Sequence, residues 1–110
     1  HCDLPKKFGA RASIDLTDEI KATAKVFKET GVAIEINTAG IRKPIGEMYP
    51  SLSCLKIYQE AGVPLTFGSD SHEPNHVGAD FDKAHQLALA AGYSEYLTFN
   101  QGKIKERIKL

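Results

Sequence analysis

Tryptophan is absent from this chain of 110 residues, cysteine occurs only twice, and neither sign of charge is in excess. Each shortage excludes something. Lys and Arg together number 14, as do Asp and Glu, so the net charge is zero and nothing favours binding to nucleic acid or an anionic membrane surface. No apolar run approaches the ~20 residues that a membrane-spanning helix requires. The first residues, HCDLPKKFG, lack the basic, apolar and small-residue order of a secretory leader. Cys2 and Cys54 form no Cys-x-x-Cys motif, so the default reading is two free thiols in a reducing cytosol. A length of 110 with 42% hydrophobic residues suits one small domain or part of a larger one. The expectation is a soluble, cytoplasmic protein, with its oligomeric state left open.

What the sequence does contain is a regular alternation. Thr17 or Asp18 can cap a helix whose apolar positions Ile20, Ala24 and Phe27 share one face, and Gly31 stops it. A strand over 32–36 is expected to follow. Ser51 then caps a second helix through Leu52, Leu55 and Tyr58 to Gly62, with a strand over 63–67. Asp80 opens a third, carrying Phe81, Ala84, Leu87, Ala88 and Ala91 on one face; Gly92 closes it, and 95–99 reads as another strand. Near-equal spacing of the three helix-ending glycines is the period of βα units, so an α/β fold with parallel strands is predicted. The final KIKERIKL is either a closing edge strand or a short helix, and its Glu and lack of aromatics argue against a nucleic-acid patch.

In such a sheet the C-terminal strand ends lie on one edge, where α/β folds place their chemistry. The candidates cluster there. Phe67-Gly68-Ser69-Asp70-Ser71-His72 delivers a carboxylate and an imidazole two residues apart into a glycine-flanked loop. That pair offers one oxygen and one nitrogen donor to zinc, manganese or iron, or it is an Asx-type turn beside a solvated histidine. Arg42 and Lys43 follow a Thr-Ala-Gly turn after the first strand, as a phosphate grip or as a solvated basic pair, and Asn37 could orient that turn. Glu35, between Ile34 and Ile36, faces away from the apolar side and is not counted as a ligand. His76 and His85 read as surface or packing residues. His1, by itself, reads as a tag remnant or a disordered terminus.

Several motifs in order carry a resemblance: HCDLPKKFG at 1–9, IEINTAGIRKP at 34–44, then Glu47, Tyr49-Pro50-Ser51, and GSDSH at 68–72 followed by Pro74, Val77 and Gly78. Together they resemble the C-terminal part of histidinol-phosphate phosphatases of the PHP (polymerase and histidinol phosphatase) family. The likeness spans nearly all 110 residues, and NTAGIRKP is its most distinctive block. It implies that residues 1–110 are the C-terminal portion of a distorted, seven-stranded TIM-like (β/α) barrel, with the N-terminal segment, and most metal ligands, missing from this chain. It also implies His1, Asp70 and His72 as metal ligands, Asp70 and His72 as the catalytic pair, and Arg42 and Lys43 as phosphate-binding residues. The implied cofactors are two or three divalent ions, zinc, manganese or iron. The implied reaction is hydrolysis of a small phosphorylated substrate, L-histidinol phosphate, in histidine biosynthesis. Another PHP-type hydrolase, such as a phosphodiesterase or exonuclease, and a non-catalytic piece are the alternatives.

Overall fold

Gly31 adopts a left-handed backbone (φ 72°) and donates its N–H to the carbonyls of Lys28 and Phe27, turning the end of a helix toward a strand. The same positive φ recurs at Gly62 and Gly92, so the three predicted stops are real. The computed structural model describes residues 2–110; His1 lies outside the described residues. Its helices are α1 (Thr17–Thr30), α2 (Leu52–Glu60) and α3 (Phe81–Ala90), and its strands are β1 (Ile34–Asn37), β2 (Leu65–Gly68), β3 (Glu95–Asn100) and β4 (Lys103–Lys109). Short 3-10 turns occupy Leu4–Phe8, Thr38–Arg42 and Pro74–His76.

The helix starts differ from expectation in their chemistry. α1 begins at Thr17, but the capping oxygen is Asp15 Oδ1, which accepts from the Thr17 N–H at 2.9 Å and the Thr17 hydroxyl at 2.6 Å. Those two bonds hold the Asp15 carboxyl below its ordinary range, the side-chain bond being the larger cause. Ser51 stands at the N-cap of α2, yet its hydroxyl pairs with Ser53 and makes no cap bond. Asp80 likewise precedes α3 in a left-handed conformation and spends its carboxylate on Lys83, 2.6 Å away.

β1 and β2 pair in parallel, from Ile34↔Leu65 to Asn37↔Gly68. Both start two residues later than the sequence predicts, because residues 32–33 and 63–64 are used to turn out of the preceding helices. The third strand departs further. Its backbone ladder is antiparallel to β4 rather than parallel to β2, and a Thr66 Oγ1 to Leu97 carbonyl bond of 2.9 Å ties it to β2. Gln101 and Gly102, both at positive φ, make the two-residue turn between β3 and β4, which resolves the C-terminal segment as a strand. Ile34, Ile36 and Leu65 are buried with Ala24, Leu55, Tyr58, Ala84 and Ala88, so the core lies between one sheet face and the helices. Glu35 and Thr66, which are register partners, occupy the opposite face. Among the described residues no helix is long and apolar enough to cross a membrane.

Candidate functional site

β1 and β2 end level with each other at Asn37 and Gly68, so the segments that follow both strands emerge side by side. Asn37 sets the first. Its Oδ1 accepts the Ala39 N–H at 2.9 Å and starts the Thr38–Arg42 turn, as its position at the strand end predicts. Gly40 in that turn has no room for a side chain, since a Cβ would collide with the Glu47 carbonyl and the Tyr49 ring. Thr38 Oγ1 donates to the Ala79 carbonyl at 2.7 Å, fastening the turn to the segment before α3.

The turn delivers Arg42 to the second segment. Arg42 Nη2 donates to the Ser69 carbonyl at 2.5 Å, while its buried Nη1 has no hydrogen-bond partner among the described residues. A buried guanidinium nitrogen left unmatched costs energy unless an acceptor occupies the site. Lys43 is not brought to the same place. It is exposed, its backbone N–H closes the turn onto Gly40, and its ammonium has no hydrogen bond or ion pair among the described residues.

The Ser69–His72 loop is internally braced. Ser69 Oγ meets Ser71 Oγ at 2.7 Å and accepts the Gly78 N–H at 3.1 Å. Asp70 takes a left-handed φ of 46°, a conformation that Asp tolerates better than most side chains. His72 Nδ1 sits 3.0 Å from the Asp70 carbonyl and 4.0 Å from its Oδ1. Donation from Nδ1 to that carbonyl leaves Nε2 as the imidazole's free lone pair, which is how a carbonyl orients a metal-binding histidine. The His72 side chain is 80% exposed and that of Asp70 43%, so both face solvent. Among the described residues no three His, Cys, Asp or Glu side chains converge as a metal cage. Asp70 and His72 have the donor chemistry of part of a ligand set and do not make a whole one.

The remaining histidines divide as expected. His85 stacks on Phe67 at 4.9 Å and meets Tyr96 edge-on, a packing role; His76 Nε2 lies 3.9 Å from the Glu73 carboxylate. Cys2 and Cys54 are free thiols.

Two residues that sequence reasoning passed over matter here. Lys6, only 5% exposed, donates to the Met48 carbonyl at 2.6 Å, pairs with Asp3 at 2.9 Å and Glu47 at 3.5 Å, and lies over the Tyr49 ring. Asp3 in turn accepts the Ser51 N–H at 2.8 Å, and Tyr49 pairs its backbone with Asn37. The segment after His1 is thus fastened against the end of β1. Burial, with Asp3 and Glu47 nearby, pushes the Tyr49 hydroxyl above its ordinary range. The second residue is Glu35, whose Oε1 accepts from Asn37 Nδ2 at 2.8 Å and whose carboxylate lies over Gly68.

Comparison with known proteins finds relatives named as phosphatases. Over 108 residues, 96% of the chain, it is 42% identical to a probable histidinol-phosphatase of Deinococcus radiodurans, of which it spans 39%. It is 28% identical to the histidinol-phosphatase of Bacillus subtilis over 74% of the chain and 32% of that protein. A probable phosphatase of Shewanella pealeana is 37% identical over 68% of the chain and 30% of its own length. No family model matches the chain. The chain therefore spans well under half of the curated relatives it matches, and across nearly all of its own length it is related to a protein named histidinol-phosphatase.

Proposed function

We propose that this chain carries the phosphate-binding arm and part of the metal-binding arm of a metal-dependent phosphomonoesterase that hydrolyses L-histidinol phosphate in histidine biosynthesis. The observation that carries this reading is the Arg42 guanidinium, held by the Ser69 carbonyl with one buried nitrogen unmatched, beside the Asp70-Ser71-His72 loop. The names of the relatives support the same reading. In it, the α/β units belong to a distorted seven-stranded barrel of the PHP type, whose N-terminal portion supplies further ligands, and the enzyme is cytoplasmic.

Arg42 would direct its unmatched N–H at a phosphate oxygen, while its bond to Ser69 fixes that oxygen's place relative to Asp70. Lys43, exposed and without an ion pair among the described residues, adds a point charge at most. Asp70 and His72, with His1, would hold divalent ions: Asp70 through its carboxylate and His72 through Nε2. Two or three bound ions of zinc, manganese or iron would supply an acidified water and neutralise charge on the phosphate. Asp70 would also accept a hydrogen bond from the attacking water, aligning it opposite the leaving alcohol. Asp70, at a left-handed φ, and His72 share one short loop, from which the two would reach ions at the same strand end.

The test is substrate discrimination by the full-length protein, supplied with divalent metal, on L-histidinol phosphate, a mononucleotide and a phosphodiester. Preferential release of phosphate from histidinol phosphate is expected. Preference for the diester or the nucleotide would move the chain to a different hydrolase.

A further inference from the structure

Glu35 is a carboxylate with no cationic partner among the described residues. Its neighbours Ile34 and Ile36 are buried among the helices, so strand alternation turns Glu35 to the opposite face, beside Thr66. There it curls toward the strand end. Oε1 accepts from Asn37 Nδ2, and the carboxylate fills the space over Gly68, where any Cβ would collide with it. The hydrogen atom at position 68 is what leaves it that room. Among the described residues the half-buried carboxylates Asp3 and Asp80 each have a cation, Lys6 and Lys83. Glu35 has none within ion-pair range among those residues. A partly desolvated carboxylate with a single neutral donor is costly unless a positive group completes it.

The position of Glu35 says which positive group. It lies against Gly68, the residue before Ser69, whose carbonyl holds Arg42. A negative and a positive receptor therefore stand at adjoining positions on one sheet edge. A metal ion at Glu35 would need several donors, and no third His, Cys, Asp or Glu converges there among the described residues. A primary ammonium needs less: three N–H donors can be met by the carboxylate and by a hydroxyl such as Thr66 Oγ1. We propose that Glu35 binds the ammonium of a zwitterionic phosphorylated amino alcohol whose phosphate is held by Arg42, and so selects aminated over plain phosphate esters. This rests on the phosphatase reading above.

The experiment compares two substrates on the full-length, metal-loaded protein: L-histidinol phosphate and its deaminated counterpart, 3-(imidazol-4-yl)propyl phosphate. The unmodified protein should favour the aminated ester in kcat/KM by about tenfold or more, the worth of a charge-assisted hydrogen bond. Glu35→Gln keeps the shape and the bond from Asn37 but removes the charge. It should erase that preference, chiefly through KM on the aminated ester, with the deaminated ester and the metal content unchanged. Equal losses on both esters would make Glu35 a mere support for the strand end, and a fall in bound metal would make it a metal ligand; either overturns the inference. So would an unmodified protein with no preference, a measurement that does not depend on any variant folding. Hydrolysis of neither ester would instead overturn the phosphatase reading itself, and this inference with it.

Discussion

Asp70 and His72 lie in an exposed loop whose bracing comes from Ser69, Ser71 and Gly78, so their side chains can be changed without touching the core. Asp70→Asn or His72→Ala in the full-length protein should therefore lower phosphatase activity by about a hundredfold or more while thermal unfolding barely moves. Near-normal turnover and full metal content in both variants would remove them from the site. Arg42 is different because it also holds the Ser69 carbonyl. Arg42→Ala should lower kcat/KM for histidinol phosphate and loosen the Ser69 loop, with metal content kept. Arg42→Lys should rescue only in part, since an ammonium cannot hold the Ser69 carbonyl and a phosphate in one plane. The sequence could place these three residues beyond strand ends because each follows a short apolar run that folds as a strand. Glu35 was not legible in that way. Alternation tells which face a strand residue takes, but the space above Gly68 belongs to the neighbouring strand, and only the register Asn37↔Gly68 brings the two together.

At the scale of elements, the helix, glycine and strand order was readable because each glycine ends a helix in a conformation that other residues resist. The partner of β3 was not. Lys103–Lys109 carries five charged residues, which conceal any period-two pattern, and its pairing is set by the Gln101-Gly102 turn rather than by an apolar face. The Leu4–Phe8 turn was hidden for a related reason: a lysine in a polar, proline-containing segment reads as solvated, yet Lys6 is the most buried charge described. Its ammonium satisfies Met48, Asp3 and Glu47 at once, so Lys6→Ala would take the donor from a part-buried carbonyl and the cation from the half-buried Asp3 carboxylate. A loss of about 1–3 kcal/mol in unfolding free energy is expected by chemical denaturation. Because this lysine fastens the segment following His1 to the end of β1, weaker metal binding should accompany the loss. Unchanged stability would mean that the Leu4–Phe8 turn holds its place without it.

The whole molecule brings these scales together at one edge. Both parallel strands end there, both ensuing segments meet through Arg42 and Ser69, and the core between the helices and one face of β1 and β2 lies behind that edge. Yet among the described residues β1 has a ladder partner on one side only, its other edge being met just by the Asn37–Tyr49 bridge. The proposed donors are equally partial, for Asp70, His72 and His1 would be fewer than the proposed site of two or three metal ions requires. The chain spans 39% of its Deinococcus relative. Expressed from His1 onward, it should therefore bind zinc or manganese weakly, give no turnover above background, and associate through the open edge of β1. Co-expression with the N-terminal portion of the barrel should restore metal stoichiometry and phosphate release together, as read by elemental analysis and a phosphate assay on the same preparation. Robust hydrolysis by the monomeric 110-residue chain, verified by intact mass, would mean instead that these residues complete the site alone, with His76, His85, Cys2 or Glu35 recruited as ligands.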